Sequence, residues 1–360
     1  MLKMLRIFKK YNLKKQNAFK LDVIAEYFVS VTQKKDLKKL AKRIDLKTNK
    51  HFILGSGFNT LFTGNFNGLI IHPNIGGIVK LKENKSHVWF KVGAGVDWTN
   101  FVKFAVSKNL SGIENLNLIP GSVGAAPVQN IAAYGQNFED VFVSLTSYDI
   151  IENKFVKFNK SKCKFAYRDS FFKRESNGRY VIIDVTIKLS KIANIDTSYH
   201  SRYGGIVDEL NKFTKPPYNV SVIAKAVGRI RRRKFPNWNK FGTAGSFFLN
   251  PFVSKEKLSE IQKIAPGVQF YPIEKTTYPP TDDHYLKHSS YVKIAAGWLL
   301  EEIGWRGKRI GNVSTSPNQA LVVISHGKTS PNEILSFTKR MQDDFEKAYG
   351  IKLEPEVNII

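Results

Sequence analysis

From Leu110 to Asn153 the chain carries neither Lys nor Arg. These two types make up 56 of its 360 residues, so proportion alone would place roughly seven in that window. The window contains IPGSVGAAPVQNIAAYG, in which Gly121, Gly124, Ala125 and Ala126 let a backbone approach a neighbour closely, while Gln129 and Asn130 add neutral donors. Such a stretch offers peptide N–H groups rather than charged side chains, and peptide N–H groups can hold a diphosphate without lysine. A second Gly-rich turn, GSGFN from Gly55 to Asn59, follows a short apolar strand and is able to form an opposing wall. Two tight turns packed in a core is the competing reading; two such walls in one chain favour a bound nucleotide cofactor.

At this length the chain suffices for two or three domains, and 42% hydrophobic residues with 12% aromatics can build cores. No apolar run approaches the roughly 18 residues a membrane span requires, and MLKMLRIFKKYNLKKQ lacks the apolar centre of a signal peptide, so a cytoplasmic protein is expected. The single Cys163 excludes an internal disulfide and a thiolate-clustered metal site. A net charge of +26 suits a polynucleotide partner, yet the excess is spread along the chain among many Asn, Ile, Phe and Tyr residues, as a compositional bias would leave it. No zinc finger, basic heptad region or Gly-aromatic RNA signature accompanies it.

Periodicity divides the chain into mixed elements. Helices are expected where Leu37, Leu40, Ala41 and Ile44 share a face, and where Trp98, Phe101, Val102 and Ala105 do. VFVSLTSYDI and YVIIDVTIKLS read as strands flanking CKFAYRDSFFK. In SVIAKAVGRIRRRKFP the apolar stripe Ile223, Ala226, Val227 and Ile230 puts Lys234 near it and Arg231 at its margin, with Arg229 and Arg232 turned away. Ser330 and Glu333 form a capping box ahead of a helix that Gly350 stops, and IKLEPEVNII reads as a last strand. GSGFNT has Thr60 where a dinucleotide fingerprint needs its third Gly, which excludes a Rossmann site. His284 and His288 in HYLKH read as loop histidines, and no metal site is expected.

Taken singly, YRDS around Arg168, GTAGSFFLNP around Ser246 and LEPEV around Glu356 read as a surface ion pair, a turn and an exposed strand carboxylate. Taken in order with ILGSGFNTLF, GIENLNLIPGSVGAAPVQNIAAYG, KIAAGWLLEEIGWRGKRIG and NQALVVI, they closely resemble the UDP-N-acetylenolpyruvoylglucosamine reductase family. The likeness runs from about Asn17 to Ile360, and RYGG at Tyr203 suggests the longer, type I branch.

The resemblance implies an α+β fold: a two-part FAD-binding module of the vanillyl-alcohol-oxidase (PCMH-like) type plus a C-terminal α+β substrate-binding domain. The expected boundaries are 1–84, then 85–235 with a C-terminal strand from 351–360, then 236–350. It implies non-covalent FAD, NADPH as reductant, and reduction of an enolpyruvyl UDP-sugar in cell-wall precursor synthesis by a monomer without nucleic-acid or membrane partners. Gly55, Ser56, Gly57, Phe58 and Asn59 would face Pro120, Gly121, Ser122, Gly124, Ala125, Ala126, Gln129, Asn130, Ala133, Tyr134 and Gly135 across the cofactor. Arg168 would stabilise the developing aci-carboxylate, Glu356 would polarise the same group and Ser246 would donate the proton. Tyr203, Arg231, Lys234, Asn250, Tyr278, Arg306 and Gln319 match positions used on the sugar nucleotide or the nicotinamide cofactor. Phe58, Ala126, Ala132 and Arg306 depart from the family's usual residues but spare Arg168, Ser246 and Glu356. The rival readings are another flavin oxidoreductase of the same cofactor fold, a decayed family member and a basic polynucleotide-binding protein.

Overall fold

The computed structural model describes residues 5–176, 178–199, 204–273 and 290–360. The chain forms two compact units, one from Met1–Tyr11, Ala25–Ser56 and Asn67–Arg231, the other from Asn12–Ile24, Gly57–Phe66 and Arg232–Ile360.

The first unit is built on two sheets. Strands Ile7–Asn12, Ile24–Val31, Phe66–Pro73 and His51–Ile53 lie in that order in one, with the last two parallel. The other runs Lys154–Asn159, Phe142–Asp149, Tyr180–Ser190, His87–Gly93, Ile78–Glu83 and is antiparallel throughout. Its central strand serves two cores. Before a register shift opposite Thr146 and Ser147, Val181 and Ile183 pack with Val29, Leu37 and Ile71; after it, Val185, Ile187 and Leu189 pack with Trp98, Phe101 and Phe138. One extra residue exchanges the two faces of a strand, so this bulge lets a continuous apolar run feed both cores.

The expected helices form here. Lys34–Ala41 buries Leu37 and Leu40, and the Asp36 carboxylate accepts from the Gln33 N–H at 3.0 Å; Ile44 packs from beyond its end. Trp98–Ser107 is capped by Asp97, whose carboxylate accepts from the Asn100 N–H at 2.8 Å. Trp98 is buried and donates its indole N–H to the Leu116 carbonyl, which anchors the start of the cation-free window. Ile223, Ala226, Val227 and Ile230 of the Val220–Lys234 helix pack with Ile206, Leu210 and Tyr134 in a third cluster.

In the second unit, strands Phe252–Ser254, Tyr291–Ile294 and Phe270–Pro272 form one antiparallel sheet and Arg309–Ile310, Val313–Ser316 and Gln319–Ser325 another. Pro331–Tyr349 begins with the Ser330–Glu333 capping box and ends at Gly350, φ +65°, as its sequence predicts. The last strand is shorter than expected: Asn358–Ile359 pairs in parallel with Thr60–Leu61, and before it Pro355 makes an isolated antiparallel bridge with Phe248. Pro355 has no N–H to offer a ladder, and Ile359 is 43% exposed. Residues 351–360 fall in the second compact unit. Among the described residues no helix is long and apolar enough to cross a membrane, and no group of three or more His, Cys, Asp or Glu is placed to hold a metal ion.

Candidate active site

In the first unit the two small-residue turns lie side by side. A Cβ added to Gly55 would stand 3.2 Å from the Ala125 Cβ and 3.4 Å from the Ser122 Oγ. Gly124 packs against Ala94 so tightly that a Cβ there would come within 2.5 Å of the alanine's own Cβ. The N–H groups of Gly55, Ser56, Gly121 and Ser122 donate to no backbone carbonyl among the described residues, and space is open around the Cβ position of Gly121. Pro120, which has no N–H, leads into this turn. Amides without backbone acceptors at two neighbouring turns are able to hold an anion without lysine. In the second unit the N–H groups of Gly57, Phe58 and Asn59 likewise donate to no described backbone carbonyl.

Downstream, Ala132–Ala133 pairs with Gln136–Asn137 as a hairpin whose two central residues, Tyr134 and Gly135, have φ of +51° and +86°. That is the type I′ geometry, and it explains Gly135 in the AAYG motif. Asn115 donates its amide to the Tyr134 carbonyl at 2.7 Å and to the Asp196 carbonyl at 3.1 Å, bracing the hairpin from beneath. Asn115 belongs to no motif that marks it as functional; a fully buried neutral amide inside the cation-free window is its one distinguishing signal. Gln129 is half-buried at the end of the Ala126–Gln129 helix. Asn130 is 3% exposed and its amide is committed to protein groups, so it does not stand as a donor to a ligand.

Three of the expected site residues meet in this unit. Arg231 is buried and donates through Nε to the Leu118 carbonyl at 3.1 Å. Burial pushes its guanidinium below the usual arginine range, the Tyr134 hydroxyl works the other way, and the nearby Arg168 cation lowers it further. Arg168 is half-buried and has φ of +55°; its turn is held by an Asp169–Arg174 ion pair. Burial raises the Asp169 carboxyl above its ordinary value despite that pair. Two cations side by side in a desolvated setting repel, an arrangement that an anionic ligand relieves.

In the second unit a backbone ladder gathers the others. The Phe247 N–H donates to the Leu321 carbonyl at 2.8 Å, and the Phe247 carbonyl accepts from the Glu356 N–H at 2.8 Å. Ser246, the preceding residue, bridges Val322, while Asn59 donates its amide to the Glu356 carbonyl at 3.1 Å. Ser246 and Glu356 thus lie on adjacent backbones. Asn250 accepts from the Ala296 N–H at 3.1 Å and so caps the Ala296–Glu302 helix. Gln319 lies against Gly297, where any Cβ would meet its amide oxygen at 2.7 Å. Arg306 is more than half exposed and donates to the Pro317 carbonyl at 2.8 Å. Lys234 is half-buried over the Phe235 ring. Tyr203, Tyr278, His284 and His288 lie outside the described residues.

Comparison with known proteins now bears on this arrangement. Residues 25–153 match a family model described as an FAD binding domain, and residues 237–360 match the UDP-N-acetylenolpyruvoylglucosamine reductase C-terminal domain. Over 97% of both chains the protein is 37% identical to the reductase of that name from Amoebophilus asiaticus, and 35% identical to that of Bacteroides fragilis over 98% of this chain and 99% of the other. The chain belongs to the UDP-N-acetylenolpyruvoylglucosamine reductase family. It is an FAD-dependent oxidoreductase of α+β fold, as the resemblance implied. The crystal structure of the Thermus caldophilus reductase has a similar fold, with a TM-score of 0.64, 19% identity and 99% of each chain covered.

The paired turns in the first unit fit FAD, because a diphosphate needs N–H groups and close backbone approach rather than cations. The departures from family custom also find local reasons. Ala126 is 2% exposed within the core of the first unit, and Ala132 sits in the two-residue ladder of the hairpin. In the second unit the Phe58 ring packs edge-on against Trp238.

Proposed function

We propose that this chain reduces the enolpyruvyl ether of UDP-N-acetylglucosamine to UDP-N-acetylmuramate, with NADPH as reductant, in peptidoglycan precursor synthesis. The observation that carries the reading is the buried Arg231 guanidinium, bonded to the Leu118 carbonyl inside a window that itself contains no Lys or Arg and within electrostatic reach of Arg168 and Tyr134. FAD, when bound, would supply the redox chemistry that links NADPH oxidation to hydride addition at the terminal carbon of the enol ether.

On this reading Gly55, Ser56, Gly121 and Ser122 hold the cofactor diphosphate through N–H groups, with Gly57, Phe58 and Asn59 continuing the turn, while Ala125, Ala133, Tyr134 and Gly135 line the flavin. Hydride addition leaves negative charge on the neighbouring carbon, delocalised into the substrate carboxylate. Arg168 stabilises that carboxylate as a fixed cation and two-pronged donor, and Glu356 polarises the same group. Ser246 gives the proton to the neighbouring carbon, completing the saturated lactyl ether. Arg231, Lys234, Asn250, Arg306 and Gln319 hold the sugar nucleotide or the nicotinamide cofactor, together with Tyr203 and Tyr278. Residues 1–84 and 85–235 with the strand from 351–360 form the FAD module and 236–350 the substrate domain, in a cytoplasmic monomer.

The test is an anaerobic visible spectrum of the purified protein, to which NADPH and then the enolpyruvyl UDP-sugar are added. A flavin band that bleaches with NADPH and returns with the sugar is expected. A bleached band that the sugar leaves unchanged would remove the substrate assignment.

A further inference from the structure

Arg168 occupies a turn that the cofactor segment holds at both ends. Ala166 and Asp169 exchange backbone hydrogen bonds of 3.0 and 3.2 Å, so Tyr167 and Arg168 are its two central residues. At one end the Asn130 amide donates to the Ala166 carbonyl at 3.0 Å. At the other, the Ser170 hydroxyl donates to the Val128 carbonyl at 2.9 Å. The Asn130 side chain is otherwise spent on Glu139, accepting from its N–H at 3.2 Å and donating to its carboxylate at 3.4 Å.

We propose that Asn130 is a positioning residue for Arg168, tying the Ala126–Gln129 helix of the cofactor segment to the turn that presents the guanidinium. This deepens the functional reading above and rests on it. Both residues are in the left-handed region, Asn130 at φ +43° and Arg168 at φ +55°. For Arg168 that backbone is disfavoured and persists only where the surroundings enforce it. Lys173, which donates to the Arg168 carbonyl at 3.3 Å, and the Asp169–Arg174 pair bind the turn to its own following residues. The Asn130 and Ser170 bonds connect it to the cofactor segment. Bidentate recognition of a carboxylate requires the guanidinium plane to be aimed, which these two bonds accomplish by setting the direction of the Arg168 Cα–Cβ bond. An asparagine serving merely to cap the short helix would turn its amide toward that helix's own carbonyls; this one reaches 36 residues along the chain.

The test uses the holoenzyme and Asn130→Gly, which keeps the left-handed backbone free of strain and deletes only the amide. Flavin content and reduction by NADPH should stay within about twofold of wild type, while reoxidation by the enolpyruvyl sugar slows about tenfold or more, the effect of losing one buried hydrogen bond. In an Arg168→Ala background Asn130→Gly should add no further loss, because both act through one group. Equal slowing of the two half-reactions, or effects that multiply, would overturn the assignment. Ser170→Ala cuts the second tie and should show the same split if Asn130→Gly does not fold. Hydrogen exchange in the flavin-free protein gives a readout independent of turnover: the Ala166 and Asp169 amides should lose protection in either variant, and unchanged protection contradicts the clamp. If the wild-type flavin is not reoxidised by the sugar, the functional reading falls while the exchange result still judges the clamp.

Discussion

Ser246 follows Gly245, which has φ of +80°, and precedes Phe247, whose N–H and carbonyl are both taken by neighbouring backbones. That leaves the serine in a fixed setting, as a proton donor requires. Ser246→Ala should keep its flavin and its reduction by NADPH yet lose steady-state turnover by about two to four orders of magnitude, the usual contribution of a general acid; near-normal turnover would remove it from the chemistry. Asp149 gives a residue-level prediction about stability. Burial pushes its carboxyl up, but Arg179 and the N–H groups of Glu152 and Ile151 outweigh this and hold it below the usual carboxylate range. A lowered folded-state pKa stabilises the fold above the unfolded value, about 3.9, and the benefit disappears as pH falls through the folded value. The urea midpoint of Arg179→Met should therefore lie below wild type at pH 6 and converge with it in acid. A gap independent of pH would show that the loss is packing alone.

Among the elements, the Pro331–Tyr349 helix was fully legible because its signals are local: Ser330, Pro331 and Glu333 at one end and Gly350 at the other. Ser330→Ala should cost about 1 kcal/mol in urea unfolding, the ordinary worth of such a cap, with the slope unchanged. The cofactor turn answers to a different physics. Gly124 is required by a neighbour far along the chain, Ala94. Gly124→Ala should destabilise the protein by about 1–3 kcal/mol through overpacking and weaken FAD retention on gel filtration; retention and stability equal to wild type would mean that the two backbones can part at little cost. The central strand Tyr180–Ser190 was legible as a strand from its apolar run. Its bulge was not, because the extra residue answers to the partner strand rather than to its own neighbours in sequence.

On the scale of the molecule, Cys163 reports integrity. It is fully buried, and burial raises its thiol to about 12. Alkylation by iodoacetamide should be negligible in native protein and should rise along the urea transition; rapid native labelling would mean that this core opens locally. The family, the mixed α/β character and the separation of a cation-free segment from a basic remainder were legible in residue order alone. Each of these rests on residue types in a fixed order, which spacing preserves. Burial of Arg231 against the Leu118 carbonyl, the bond from the Asn130 amide to Ala166, and the pairing of the C-terminal segment with Thr60–Leu61 instead of a long strand were not legible in that order. These outcomes depend on which distant backbones meet. A side chain's direction and the sharing of its hydrogen bonds are settled by those meetings, and no local pattern in the chain records them.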